Sequence, residues 1–465
     1  MTRHVTLAGR IGSTTLAASF GFALIQLDVT IVNVVLPEIA NDLGSGVAGL
    51  QWVVDAYALS FAALLLSAGF MGDRLGARRV YLAGFAIFAT ASLACGLSTN
   101  ALALIIARAA QGLGAATMLP SSLALLNHAA GGDAGRRATA IAWWTAAGSI
   151  AIAAGPIIGG FLLQLGWRSI FLVNLPICLV GAMLTLRLPE TEPSRNGKTL
   201  DLPGQLLAIL ALASITGAII EVRPQGLSLP VTAVGATGLL AAPAFILAEQ
   251  RSPAPMLPLR LFHEGSFRVA VLYGIALNLT LYGMMFILSL YLQRVLAYDA
   301  VSTGLAYLPL TATLFFSNLA SGHWVSRSGP RLPMMLGAGI DAVGFGLLLL
   351  TNGHSSYWTM LPAFVLIPAG MGLGVPAMTT TVMASVEKQQ SGIASGILNA
   401  ARQAGGAIGV ALFGALAGGD DTHVVAGLHI AALIAIGLLS MAALLAAIGL
   451  RPAQQVKARI LAEVR

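Results

Sequence analysis

Several ionisable side chains stand where the surrounding sequence is apolar. Asp28 lies in LDVTIVNVVLP, Asp55 in LQWVVDAYALSF, Arg108 in IIARAAQG, Asp341 in GAGIDAVGFG and Arg402 in LNAARQAGG. A carboxylate or guanidinium at the centre of a bilayer costs about 2.5 to 3.5 kcal/mol on insertion scales. Either these stretches lie outside a membrane or the charges have a task. The chemistry open to such carboxylates is proton exchange: a low-dielectric surrounding favours the neutral acid, and a nearby cation favours the ionised form.

Composition decides the first alternative. Hydrophobic residues make up 57% of the 465 and charged residues only 9%, with a mean hydropathy of +0.85. Soluble domains carry roughly 25% charged residues, so this chain is read as an all-α polytopic membrane protein. The net charge of +7 then reflects basic cytoplasmic loops rather than a nucleic-acid surface. Cys95 and Cys178 both sit in apolar runs, which argues against a disulfide framework. Arg3 and Arg10 before a long apolar stretch mimic a signal peptide, but no small-residue cleavage site follows, and the stretch is read as a retained first span.

Crossing the hydrocarbon takes about 20 apolar residues. That criterion places spans near 13–37, 50–72, 80–98, 101–126, 138–163, 168–187, 203–221, 229–248, 268–292, 302–325, 332–351, 357–384, 391–417 and 425–449, fourteen in all. With both termini cytoplasmic, Arg168, Arg223 and Arg294 fall outside, Arg108 and Arg402 fall within spans, and the other 20 of the 25 Lys and Arg fall inside. Such asymmetry is the orientation signal of a polytopic protein.

The halves echo each other. In GFMGDRLGARR (69–79) and GHWVSRSGPR (322–331), Gly69, Arg74, Gly76 and Arg78 align with Gly322, Arg327, Gly329 and Arg331, while Asp73 becomes Ser326. GPIIGG (155–160) parallels GGAIGV (405–410), and GLG recurs at 112–114 and 372–374. Two six-helix repeats follow, with spans 7 and 8 as an insertion. The domain reading is an N-terminal bundle (1–200), two inserted helices (201–250), a cytoplasmic linker (251–267), a C-terminal bundle (268–450) and a basic tail (451–465). Parallel repeats of this kind characterise major facilitator transporters.

Taken together, LDVTIVNVVLP, GFMGDRLGARR, RAAQGLGAATMLPSS, AAGPIIGG and SGILNAARQAGGAIG resemble the fourteen-span drug:proton antiporters of the major facilitator superfamily, the QacA/EmrB type that includes methylenomycin-resistance-like exporters. The resemblance implies a monomeric exporter of hydrophobic or cationic drugs in the bacterial cytoplasmic (inner) membrane, driven by the proton gradient without cofactor or metal and working by alternating access. The alternative is a narrow exporter of one antibiotic or endogenous metabolite. It also implies that Gly69, Asp73, Arg74, Gly76 and Arg78 form a cytoplasmic gate, and that Gly155, Pro156, Gly159 and Gly160 form the motif that marks exporters.

Asp28 lies about 13 Å below the outer end of span 1 and Arg108 about 10 Å below the same face. The two charges therefore match in depth, as a static ion pair or as a proton site tuned by a cation. Asp55 lies about two turns down span 2, either interfacial beside Trp52 and Tyr57 or involved with proton or substrate. Asp341 is a second acidic site or a structural hydrogen bond. Arg402, with Asn399 and Gln403, balances an acid, lines a cavity or takes part in switching. Gln26, Asn33 and Gln111 line a cavity or bridge helices, and His429 reads as structural. An enzyme is disfavoured: the chain has no HExxH, GxSxG, Cys/His cluster or phosphate-cradling loop with lysine.

Overall fold

A computed structural model describes residues 2–131, 133–190, 201–386, 390–417 and 421–450. The basic tail and the loop residues Arg195, Lys198 and Lys388 lie outside the described residues. Among the described residues sixteen α-helices follow in order: α1 (Thr2–Leu43), α2 (Val47–Leu75), α3 (Ala77–Gly96), α4 (Ala101–Ala130), α5 (Ala134–Leu162), α6 (Ser169–Leu172), α7 (Asn174–Leu186), α8 (Leu202–Gln225), α9 (Leu229–Arg251), α10 (Gly265–Leu290), α11 (Ala300–Ala306), α12 (Leu308–Ser328), α13 (Arg331–Leu348), α14 (Tyr357–Ala384), α15 (Ser391–Ala417) and α16 (Asp421–Gly449). Helices are the solution that satisfies every backbone polar group within one segment in lipid. Polar caps sit where the chain turns: Asn100 accepts from the Ala103 N–H and Asp201 from the Gly204 N–H, each at 2.9 Å.

Twelve helices among the described residues are long and apolar enough to cross a bilayer, thirteen when the two arms of α5 count as one crossing. The expected span at 302–325 is helical, as α11 and α12, but is not among them. It breaks at Tyr307, and Thr311, Thr313, Ser317, Asn318, Ser321 and His323 dilute the hydropathy of α12. Fourteen crossings therefore exceed what length and composition support. The outward surface is apolar, with Leu239 70%, Leu240 72% and Ile448 77% exposed, as lipid contact requires and water does not tolerate at this scale.

The chain divides into two compact units, Met1–Met256 with Tyr298–Leu305, and Leu257–Ala297 with Ala306–Arg465. The inserted pair α8 and α9 belongs to the first, where α8 packs on α2. Inside each unit the helices pair alike. α1 packs on α5 as α10 packs on α15; α4 packs on α2 and α3 as α14 packs on α12 and α13; and α7 packs on α3 as α16 packs on α13.

Small residues set these approaches. A Cβ added at Gly155 would meet Thr30, and one at Gly159 would lie 3.0 Å from the Ile31 carbonyl, both on α1. On the other side, Gly405 faces the Ile275 carbonyl at 2.7 Å and Gly409 faces the backbone of Leu279, both on α10. Backbones come this close only where a side chain is missing. Pro156 adds direction. Its ring displaces the carbonyl of Ile152 four residues earlier, and α5 bends by 41° between residues 139–152 and 154–165.

Candidate functional site

Asp28 lies on the inner face of α1 and is completely buried. Arg108 of α4, 1% exposed, places Nη1 2.5 Å from Asp28 Oδ2. The other carboxylate oxygen accepts from Asn174 Nδ2 at 3.0 Å and from Gln111 Nε2 at 3.4 Å. Arg108 Nε donates to the Val53 carbonyl at 3.0 Å and Nη1 to Gln111 Oε1 at 2.9 Å. Ser92 Oγ ties the amides of Gln111 (2.7 Å) and Asn174 (3.3 Å) together, and Cys95 donates to Gln111 Oε1 at 3.3 Å. The guanidinium carbon stands 4.4 Å from the centroid of Tyr57 and 5.8 Å from that of Phe171.

The depth match read from the sequence thus closes into a contact, and five helices (α1, α2, α3, α4 and α7) converge on it. A buried ion pair repays desolvation only when further hydrogen bonds serve its remaining lone pairs and protons, and here both Asp28 oxygens and the Arg108 Nε and Nη1 groups are bonded. Sequence reasoning missed Ser92, Cys95, Asn174 and the Val53 carbonyl. The one available signal was Asn174, a lone amide in the apolar stretch FLVNLP.

Asp55 presents the opposite case. It too has zero exposure, yet neither carboxylate oxygen has a hydrogen-bond partner among the described residues. It sits on α2 between Val53, whose carbonyl holds Arg108, and Tyr57, whose ring faces the same guanidinium. Burial of a carboxylate without a partner is among the costliest arrangements a protein contains.

In the second unit, Asp341 of α13 is 2% exposed with Oδ1 unpartnered, and α14 approaches it closely where Gly370 lacks a side chain. Arg402 of α15 forms no ion pair among the described residues, and its Nε has no acceptor. No carboxylate of the described residues stands within ion-pair distance of Arg402, and α15 packs mainly on α10, α16 and α14. Asn33 and Asn399 donate to carbonyls of their own helices, Val29 and Ser395, each at 3.0 Å. Gln26 and Gln403 are half-buried. His429 Nε2 lies 2.7 Å from the Thr351 carbonyl, a structural bond.

The motif loop between α2 and α3 turns at Gly76, whose φ of 93° suits a residue without Cβ. Gly69 lies 3.6 Å, at its Cβ position, from Pro120 of α4. Asp73 and Arg74 are exposed. Arg78 reaches back to the end of α7, donating to the carbonyls of Thr185 (3.2 Å) and Leu186 (2.6 Å) and facing Glu190 at 3.6 Å. Its repeat partner Arg331 donates twice to the Ala447 carbonyl at the end of α16, at 3.2 and 2.7 Å. A cation on free carbonyls at a helix C-terminus complements the helix dipole. Each bundle therefore clasps its last helix with the same arginine. No cluster of three or more metal-ligating side chains occurs among the described residues.

Two repeated helix bundles with charged side chains in their interiors define the architecture of a multi-pass membrane protein, and the family match makes it a transporter. The chain belongs to the Major Facilitator Superfamily, which matches residues 18–410. It is 38% identical over 405 residues to the multidrug resistance protein Stp of Mycobacterium tuberculosis, covering 87% of this chain and 75% of that protein. It is 36% identical over 407 residues to the methylenomycin A resistance protein of Bacillus subtilis, covering 87% of each. Among solved structures it resembles a D-xylose–proton symporter with a TM-score of 0.70 at 15% identity, over 95% of this chain and 98% of that one, which is a likeness of fold.

Proposed function

We propose that this protein exports hydrophobic drugs or antibiotics across the bacterial cytoplasmic membrane in exchange for protons, by alternating access and without a cofactor. The names of its relatives print drug and antibiotic resistance, which export from the cell would confer. The observation that carries the coupling is the contrast between two buried acids. Asp28 accepts from Arg108, Asn174 and Gln111, whereas Asp55 accepts from nothing among the described residues. An acid committed to three donors serves as a clasp; an acid with none is free to take up and release a proton. A proton on Asp55 removes a charge that has no partner, and hydration of the site lets it leave. Asp55 is therefore the coupling acid in this reading, with Asp28 and Arg108 holding α1, α2 and α4 in register beneath it.

The gate assigned to Gly69, Asp73, Arg74, Gly76 and Arg78 belongs to the same proposal. So do cytoplasmic termini, supported by the basic-loop asymmetry, and a fourteenth crossing made by α11 with α12. The test is accumulation of antibiotics, methylenomycin A among them, in a pump-deficient bacterium expressing the chain, with and without a protonophore. Export that collapses with the gradient in wild type and is lost in Asp55→Asn is expected. Accumulation indifferent to the protonophore overturns the proposal, and resistance to a single compound favours the narrow exporter.

A further inference from the structure

The second unit holds a guanidinium with nothing to neutralise it. Arg402 lies about 16 Å along α15 by the helical rise, well inside the apolar layer. Its stem crosses α10 where Gly274 leaves room: a Cβ there would lie 3.1 Å from Arg402 Cγ, 3.1 Å from Leu398 Cδ1 and 2.8 Å from Met378 Sδ. Apolar packing therefore fixes the arm. The head has no carboxylate in reach among the described residues, and Nε is buried without an acceptor.

Arg108 shows what a satisfied guanidinium looks like in this chain, with a carboxylate, an amide and a backbone carbonyl all accepting from it. Arg402 has none of these. Nor does it have the escape open to Asp55 or Asp341, because a guanidinium keeps its charge in proteins. An anion is the partner that offsets its cost in the membrane interior most directly. Asn399, three residues before it, shares its helix face, and Gln403, four residues after Asn399, flanks the pair on the adjoining face; all three side chains are half-buried rather than sealed.

We propose that Arg402 is an anion-recognition point for the transported solute, receiving a carboxylate carried on a hydrophobic body, with Asn399 and Gln403 beside it. This rests on the export reading and deepens it. It also departs from the cationic substrate expected from the sequence.

The test is titration of purified full-length protein with 2-naphthoate and with 2-naphthamide, which share a ring system and differ in charge, followed by thermal shift. Wild type is expected to bind naphthoate roughly tenfold to a hundredfold more tightly, the range for a hydrogen bond to a charged group. Arg402→Gln is expected to bring naphthoate down to the naphthamide level, and Arg402→Lys to keep part of the preference. Equal affinities in wild type overturn the inference without recourse to any variant, as does a preference that survives in Arg402→Gln. Because the readout is binding without a gradient, its failure leaves intact an export activity seen in the accumulation assay. Failure of export in that assay removes the reading beneath it instead.

Discussion

Replacing Asp28 with Asn leaves Arg108 buried with no counter-charge. The guanidinium is 1% exposed and its other acceptors, the Val53 carbonyl and Gln111, are neutral. Removing one partner of a buried pair costs about 3 to 5 kcal/mol, because the other charge stays behind uncompensated. For a chain of 465 residues, an unfolding entropy of about 2.1 cal/mol/K per residue turns this into a fall of about 3 to 5 °C in Tm. Arg108→Gln is expected to cost a similar amount by stranding the carboxylate. The double variant Asp28→Asn/Arg108→Gln removes both charges and keeps amides able to bond with Asn174, Gln111 and Ser92. It is expected to recover most of the loss, since neutralising a whole buried pair is often close to neutral. The assay is thermal unfolding of the purified protein for wild type, both single variants and the double, read as a cycle. Single shifts below about 1 °C, or a double variant that loses the sum of the two, refute the view that this pair is a structural clasp.

Three further outcomes follow from the geometry. Asp55→Asn removes no hydrogen bond in use, so its Tm should move little, by the equivalent of less than about 1 kcal/mol, while gradient-dependent export disappears; a well-folded variant with wild-type export rules out the coupling role. Gly409→Ala should destabilise more than Gly155→Ala in the same thermal assay, because its Cβ meets the backbone of Leu279 where that of Gly155 meets the Thr30 side chain. Arg78→Lys should cost about 1 to 2 kcal/mol, since an ammonium does not fork between the carbonyls of Thr185 and Leu186 as the guanidinium does; Arg331→Lys, measured the same way, should shift in the same direction.

The sequence by itself determined the solvent, the helical class and the repeat. Scarce charge required lipid, lipid required helices, and Gly69, Arg74, Gly76 and Arg78 recur at one offset as Gly322, Arg327, Gly329 and Arg331, so all followed from counting along a single chain. It also determined depth. A fixed rise per residue placed Asp28 and Arg108 at one level, and the structure joins them. It did not determine azimuth, the direction in which each side chain leaves its helix relative to the neighbours. That is set by packing between helices distant in sequence. Only the tertiary structure brought Asn174, Ser92 and the Val53 carbonyl around the Asp28–Arg108 pair, left Asp55 without a partner among the described residues two positions from Tyr57, and set Arg402 on a helix that packs mainly on α10, α16 and α14. The same carboxylate in the same kind of apolar run is a clasp or a titrating group depending on what its neighbours donate, and donors reach it through space rather than along the chain.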